Sequence, residues 1–148
     1  MGIKKIKQYE NAVTSILNFD GWDLKTPEND FTVYDAIGYT PKRDKNGNRI
    51  KCVIEMKFRN KYYPTKMLEK DKYDSLMALG KDVVKIFYVF DTKGNFMYFL
   101  NTLKLPELTK KTCPNKTMWT KNRVPKDVYM LKENDAVRTV SYTHLTLP

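Results

Sequence analysis

Two cysteines and a single histidine are all the thiols and imidazoles in 148 residues. Cys52 falls in a strand-like run and Cys113 in a loop-like one, and the two form no metal-ligand spacing. A reducing, cytoplasmic setting is the expectation from that usage. No apolar run approaches the roughly 20 residues of a membrane-spanning helix, so no membrane partner is expected, and the N-terminus lacks a signal-peptide core. Acids are scarce too. Seventeen Asp and Glu face 27 Lys and Arg, a formal net charge of +10. Such an excess points to a polyanionic partner, nucleic acid before an acidic protein or an anionic surface.

What is present suffices for a core. Hydrophobic residues make up 41% of the chain, with 10 Tyr, 7 Phe and 2 Trp, which fits a folded globule of one domain. That domain is expected over residues 1–138, with its core at about 4–100 and a basic extension over 101–138. Residues 139–148 are expected to be unstructured. Ser141-Tyr-Thr-His-Leu-Thr-Leu-Pro148 resembles a spurious ending that recurs in translated metagenomic sequence, so His144 is expected to carry no function.

Along the chain, Ile6, Val13 and Leu17 share one face of a helix expected from Lys4 to Asn18, closed by Gly21. Glu10 falls on that apolar face, an odd place for a carboxylate. A short extended piece around Trp22 to Leu24 and a turn at Pro27 to Asp30 follow. Phe31-Thr-Val-Tyr-Asp-Ala-Ile-Gly-Tyr39 and Lys51-Cys-Val-Ile-Glu-Met-Lys-Phe58 carry apolar residues on both faces, as strands of a covered sheet do. A second helix is expected from Thr65, as N-cap, to Leu79. Val83 to Phe90 and Asn95 to Leu100 read as a hairpin through Asp91-Thr-Lys-Gly94. Lys104 to Lys126 holds seven basic residues against Glu107 alone, and Val128 to Leu131 is expected as an edge strand. This order suggests a mixed sheet with helices packed on it.

Three charges interrupt the two covered strands: Asp35, Glu55 and Lys57. Uncompensated, each would cost several kcal/mol there, so they need one another, a metal ion, or both. Residues two apart on a strand share a face, so Glu55 and Lys57 project together. Asp35 reaches that side only if the turn has three residues, Lys45-Asn46-Gly47, with Gly47 left-handed. Asp35 would then sit opposite Lys57 and diagonal to Glu55, walled by Phe31, Val33, Ile37 and Val53. The competing account is a structural ion pair between strands, although buried pairs are poor stabilisers.

Asp35 followed by Ile54-Glu-Met-Lys57 on the next strand, with helices to either side, resembles the PD-(D/E)xK, or restriction-endonuclease-like, nuclease superfamily over about residues 4–100. The detail is similar to small phage-type members with Glu-x-Lys-x-Arg, here Glu55-Met-Lys-Phe-Arg59; Tyr34, not proline, precedes Asp35. The resemblance implies an α/β fold with a mixed central sheet flanked by helices in an αβββαβ core. It implies a metal-dependent endodeoxyribonuclease, with structure-specific Holliday-junction resolution and general cutting both open. Asp35, Glu55 and the Met56 carbonyl would bind Mg²⁺ or Mn²⁺, hard ions that take oxygen ligands. Lys57 would position or deprotonate the attacking water. Glu10 resembles the first-helix acid that many members add to the metal site. Arg59, Lys61 and Lys72 would meet DNA near the cut, and Lys110, Lys111, Lys116, Lys121 and Arg123 would hold its backbone. By analogy with nucleases that cut both strands, a homodimer is compatible with the chain. Tyr62-Tyr63 could stack bases or simply pack. The rival functions are an inactive nucleic-acid-binding module that keeps the nuclease fold, and a protein that docks on acidic partners.

Overall fold

The computed structural model describes residues 3–29, 32–114 and 122–137. Lys116, Lys121, His144 and the tail from 139 lie outside them, as does Phe31. The first helix, α1 (Ile3–Phe19), spans the expected segment, and its Val13 and Leu17 are buried. Asn18 joins the helix end to strand β1 (Asp23–Lys25) by accepting from the Leu24 amide and donating to the Leu24 carbonyl.

Strands β2 (Ala36–Arg43) and β3 (Arg49–Phe58) form a hairpin, and β5 (Val84–Asp91) and β6 (Gly94–Phe99) form another. With β1 they make a sheet of order β1-β2-β3-β5-β6, antiparallel except for the parallel pair β3 and β5. A parallel pair needs a crossover, supplied here by β4 (Thr65–Glu69) and α2 (Lys70–Met77). The architecture is the mixed α/β sheet flanked by helices that the sequence suggested. Cys52, Ile54, Met56 and Phe58 enter one core layer with α1, while Val53, Phe87 and Val89 enter the other with Leu76 of α2.

Four expectations are corrected. The expected Thr65–Leu79 helix starts only at Lys70. Thr65 to Glu69 is instead an extended strand with Lys66 and Leu68 facing inward, and Glu69 rather than Thr65 precedes the first helical turn. The pairing of β4 with β8 (Arg123–Lys132) outweighs the helical spacing of Leu68, Lys72 and Leu76. Second, β8 is not an edge. It lies between β4 and β7 (Leu108–Pro114) in a second sheet of order β4-β8-β7. The strand β7 was not expected, because its residues are mostly polar and exposed and show no apolar alternation.

The third correction concerns the first covered strand, which begins at Ala36 instead of Phe31. The Asp35 carboxylate Oδ2 accepts from the Met56 amide at 2.7 Å, while the Asp35 amide donates to the Ile54 carbonyl at 2.8 Å. A side chain thus takes the place of the next ladder acceptor, and the chain before it leaves the sheet. The fourth is the register. The turn itself has the expected three-residue form: Gly47 has φ of +81°, its amide bonds to the Asp44 carbonyl, and the Asp44 amide bonds to the Asn48 carbonyl. Beyond it, however, the four steps from Arg43 to Tyr39 face only two from Arg49 to Lys51. Pro41 lies in this bulge, where a residue without an N–H is tolerated. Ala36 therefore pairs with Ile54 instead of Met56, and the Asp35 amide, bonded to the same Ile54 carbonyl, ends the ladder before Asp35 can stand opposite Lys57. The shift is even, so the faces of β2 are kept, and the Asp35 carboxylate stays close enough to Glu55 to raise its pKa.

Candidate functional site

Glu55 and Lys57 project from β3 toward the layer that holds α2 and the second sheet. They line a cleft of about 90 Å³ with Arg59, Glu69, Lys72 and Lys126. The Glu55 side chain is only 13% exposed. Burial, and after it the Asp35 carboxylate, push its pKa up to about 8 against the pull of Lys72 and Lys57. Lys72, in the first turn of α2, brings its Nζ to 3.3 Å from Glu55 Oε1. Burial, and then the Arg59 guanidinium, lower the pKa of Lys57, while Glu55 and Glu69 act to raise it. The site thus holds an acid that favours its neutral form and an amine that releases its proton more easily than usual. Those two properties suit proton handling beside a polyanion.

The donor set suits a hard cation. Two carboxylates, Asp35 and Glu55, crowd each other enough to raise one pKa, and a divalent ion between them would relieve that repulsion. In an extended strand the amide and carbonyl of one residue point to the same edge. The Met56 amide faces Asp35, so the Met56 carbonyl is directed toward the same gap. Among the described residues no three His, Cys, Asp or Glu side chains gather, so the fit rests on two side chains and a backbone oxygen. Glu10 is buried, as its apolar neighbours suggested, but α1 packs on the opposite layer of the sheet. Its carboxylate lies 3.9 Å from Lys7 Nζ.

The remaining expected contacts are distributed unevenly. Arg59 lines the cleft beside Lys57, and its amide is anchored to the Phe90 carbonyl. Lys61 is exposed at the strand end. Lys110 pairs with Asp127 at 2.9 Å on the outer face of the β7–β8 ribbon. Lys111 and Arg123 border an adjoining cleft that also includes Lys57. Two residues gained their place only in three dimensions. Lys126 reaches Glu69 at 2.7 Å across the site's rim, and Cys113 closes the cleft from β7. No local pattern marks either, because ribbon and strand are brought together by long-range pairing. Cys52 faces the α1 layer, where burial pushes its thiol up to about 12, and it takes no part.

The fold has a solved counterpart. The structure is similar to that of Hjc, a Holliday junction resolvase from the archaeal hyperthermophile Archaeoglobus fulgidus, with a TM-score of 0.55 and 12% sequence identity over 86% of this chain and 94% of that one. No family model matches the chain, and no curated protein does. No helix among the described residues is long and apolar enough to cross a membrane.

Proposed function

We propose that this chain is a metal-dependent nuclease that hydrolyses phosphodiester bonds in DNA, with branched DNA among its substrates. The observation that carries the assignment is the crowding of Asp35 against Glu55 on the face that also presents Lys57. The fold shared with Hjc, a Holliday junction resolvase, supports the class of reaction and the branched substrate.

In this mechanism Asp35, Glu55 and the Met56 carbonyl would hold Mg²⁺ or Mn²⁺, which when bound would polarise the phosphodiester and lower the pKa of water. Hydrogen bonding to the Met56 amide fixes the Asp35 carboxylate in place. Lys57, its pKa lowered by burial, orients the attacking water, takes its proton and faces the charge that develops on the phosphate. Lys72 screens Glu55 and, from its place in the cleft, would be available to a phosphate oxygen. Glu10 enters as an auxiliary acid behind the sheet, adding negative potential rather than a ligand. Arg59, Lys61, Lys111 and Arg123 hold the backbone to either side, and two copies of the chain are compatible with cutting both strands.

The test is cleavage of branched, duplex and single-stranded DNA in Mg²⁺ by wild type and Lys57→Ala. Loss of cleavage by roughly 10²–10⁴-fold with DNA binding retained is expected for a positioned proton-transfer group. A wild type that binds DNA but cuts none of the three with Mg²⁺ or Mn²⁺ would reduce the chain to a binding module on a nuclease fold.

A further inference from the structure

Beside the acidic site a second cleft, of about 470 Å³, opens between the end of β3 and the β7–β8 ribbon, and the two share Lys57 and Arg59. Its volume lies within the roughly 300–1,000 Å³ of small-ligand sites. Met67, Val89 and Met130 line it, and the exposed Lys111 and Arg123 stand at its border. Tyr63, 49% exposed, completes the wall.

The adjacent tyrosines divide in role. The Tyr62 ring is taken by ammonium groups, Lys66 Nζ at 4.6 Å and Lys93 Nζ at 4.1 Å from its centroid. Tyr63 borders the cleft instead, and its backbone is held there. The buried Lys66 Nζ donates to the Tyr63 carbonyl at 2.6 Å while paired with Asp91 at 2.5 Å. A duplex backbone calls only for cations. A wall of thioethers, a valine and a half-exposed ring gives phosphates nothing, but it suits the flat apolar face of a base. Bases in a continuous duplex are stacked on one another and present no free face.

We propose that this cleft binds an unpaired nucleotide of single-stranded or branched DNA, with Tyr63 stacked on its base and Arg59, Lys111 and Arg123 on the flanking phosphates. The shared Lys57 sets that nucleotide beside the bond to be cut, and only this placement rests on the nuclease assignment. DNA with an unpaired nucleotide at the cut is then preferred over perfect duplex.

The experiment uses the full chain in EDTA, where metal-dependent cleavage is off, and a short oligothymidylate carrying one 2-aminopurine, whose fluorescence is quenched by stacking. Wild type and Tyr63→Phe are expected to quench it. Tyr63→Ala should lose the quenching and bind roughly tenfold more weakly, with a smaller change for perfect duplex. Met130→Trp, which fills the cleft from β8 and keeps the ring, should weaken the single strand likewise. Equal quenching and affinity for wild type and Tyr63→Ala overturn the proposal. Tyr63-dependent quenching without Mg²⁺-dependent cleavage keeps the base site and removes the nuclease assignment; cleavage indifferent to Tyr63 does the reverse.

Discussion

Glu55 concentrates the chemistry into one titration. Its folded pKa of about 8 lies above the ordinary carboxylate value of 4.5, so between those limits the folded chain binds a proton that the unfolded chain has released. Metal-free stability must therefore fall as pH rises through that window. Thermal melts in EDTA should show the midpoint dropping between about pH 5 and pH 8. Glu55→Gln, which cannot ionise, should flatten the curve and be the more stable protein at the alkaline end. A divalent ion that replaces the proton should bind more tightly as pH rises, and calorimetry should register proton release. Lys72→Ala removes a charge that lowers the Glu55 pKa, so it should move the same transition to higher pH. A wild-type melt independent of pH over that range would contradict the burial of Glu55 beside Asp35.

At the scale of elements, the sheet depends on one close approach. A Cβ added at Gly38 would collide with the Asp23 carbonyl oxygen and lie 2.9 Å from the Leu24 Cα, because β1 crosses β2 there with Leu24 paired to Gly38. Gly38→Ala should cost about 1–3 kcal/mol, as overpacking does, in urea unfolding. Gly47→Ala, with open space around it but φ of +81°, should cost roughly 1 kcal/mol through backbone conformation alone. A Gly38→Ala no worse than Gly47→Ala would mean that β1 is not seated on β2. The Asp35 side chain acts at this scale too. By ending the ladder at Met56 it makes the first covered strand shorter than its apolar pattern, and the gap it opens is the site.

For the whole molecule, the two sheets are joined by a core and a buried charge. Leu68, Tyr129 and Leu131 of the second sheet share a cluster with Val53, Phe87 and Tyr98 of the first. Lys66 of β4, 2% exposed, pairs with Asp91 at 2.5 Å and with Glu133 at 3.2 Å. Removing one partner of such a pair leaves a buried charge behind, so Asp91→Ala should cost roughly 3 kcal/mol, the low end for buried pairs because Glu133 remains. The double replacement Lys66→Met with Asp91→Leu should cost less than Asp91→Ala alone, and urea unfolding of the three proteins reads the difference. If the double variant were the least stable, the cluster would contribute net stability instead of only fixing how the sheets meet.

The residues alone determined that Glu55 and Lys57 share a face, because side-chain alternation is a local property of an extended chain, whereas the approach of Asp35 depended on the turn at Lys45-Asn46-Gly47 and the register behind it. An even bulge at Pro41 left that approach intact. Local periodicity likewise marked α1, β3 and the β5–β6 hairpin. Which residue stands opposite Asp35, whether Thr65 to Glu69 coils or extends, and where the basic ribbon lies were decided only by tertiary structure. Each depends on a hydrogen-bonding partner far along the chain, β8 for β4 and β7, and the backbone N–H and C=O groups that make those bonds are the same in every residue but proline. The clefts belong to that second category, since their walls come from strands that no spacing in the sequence connects.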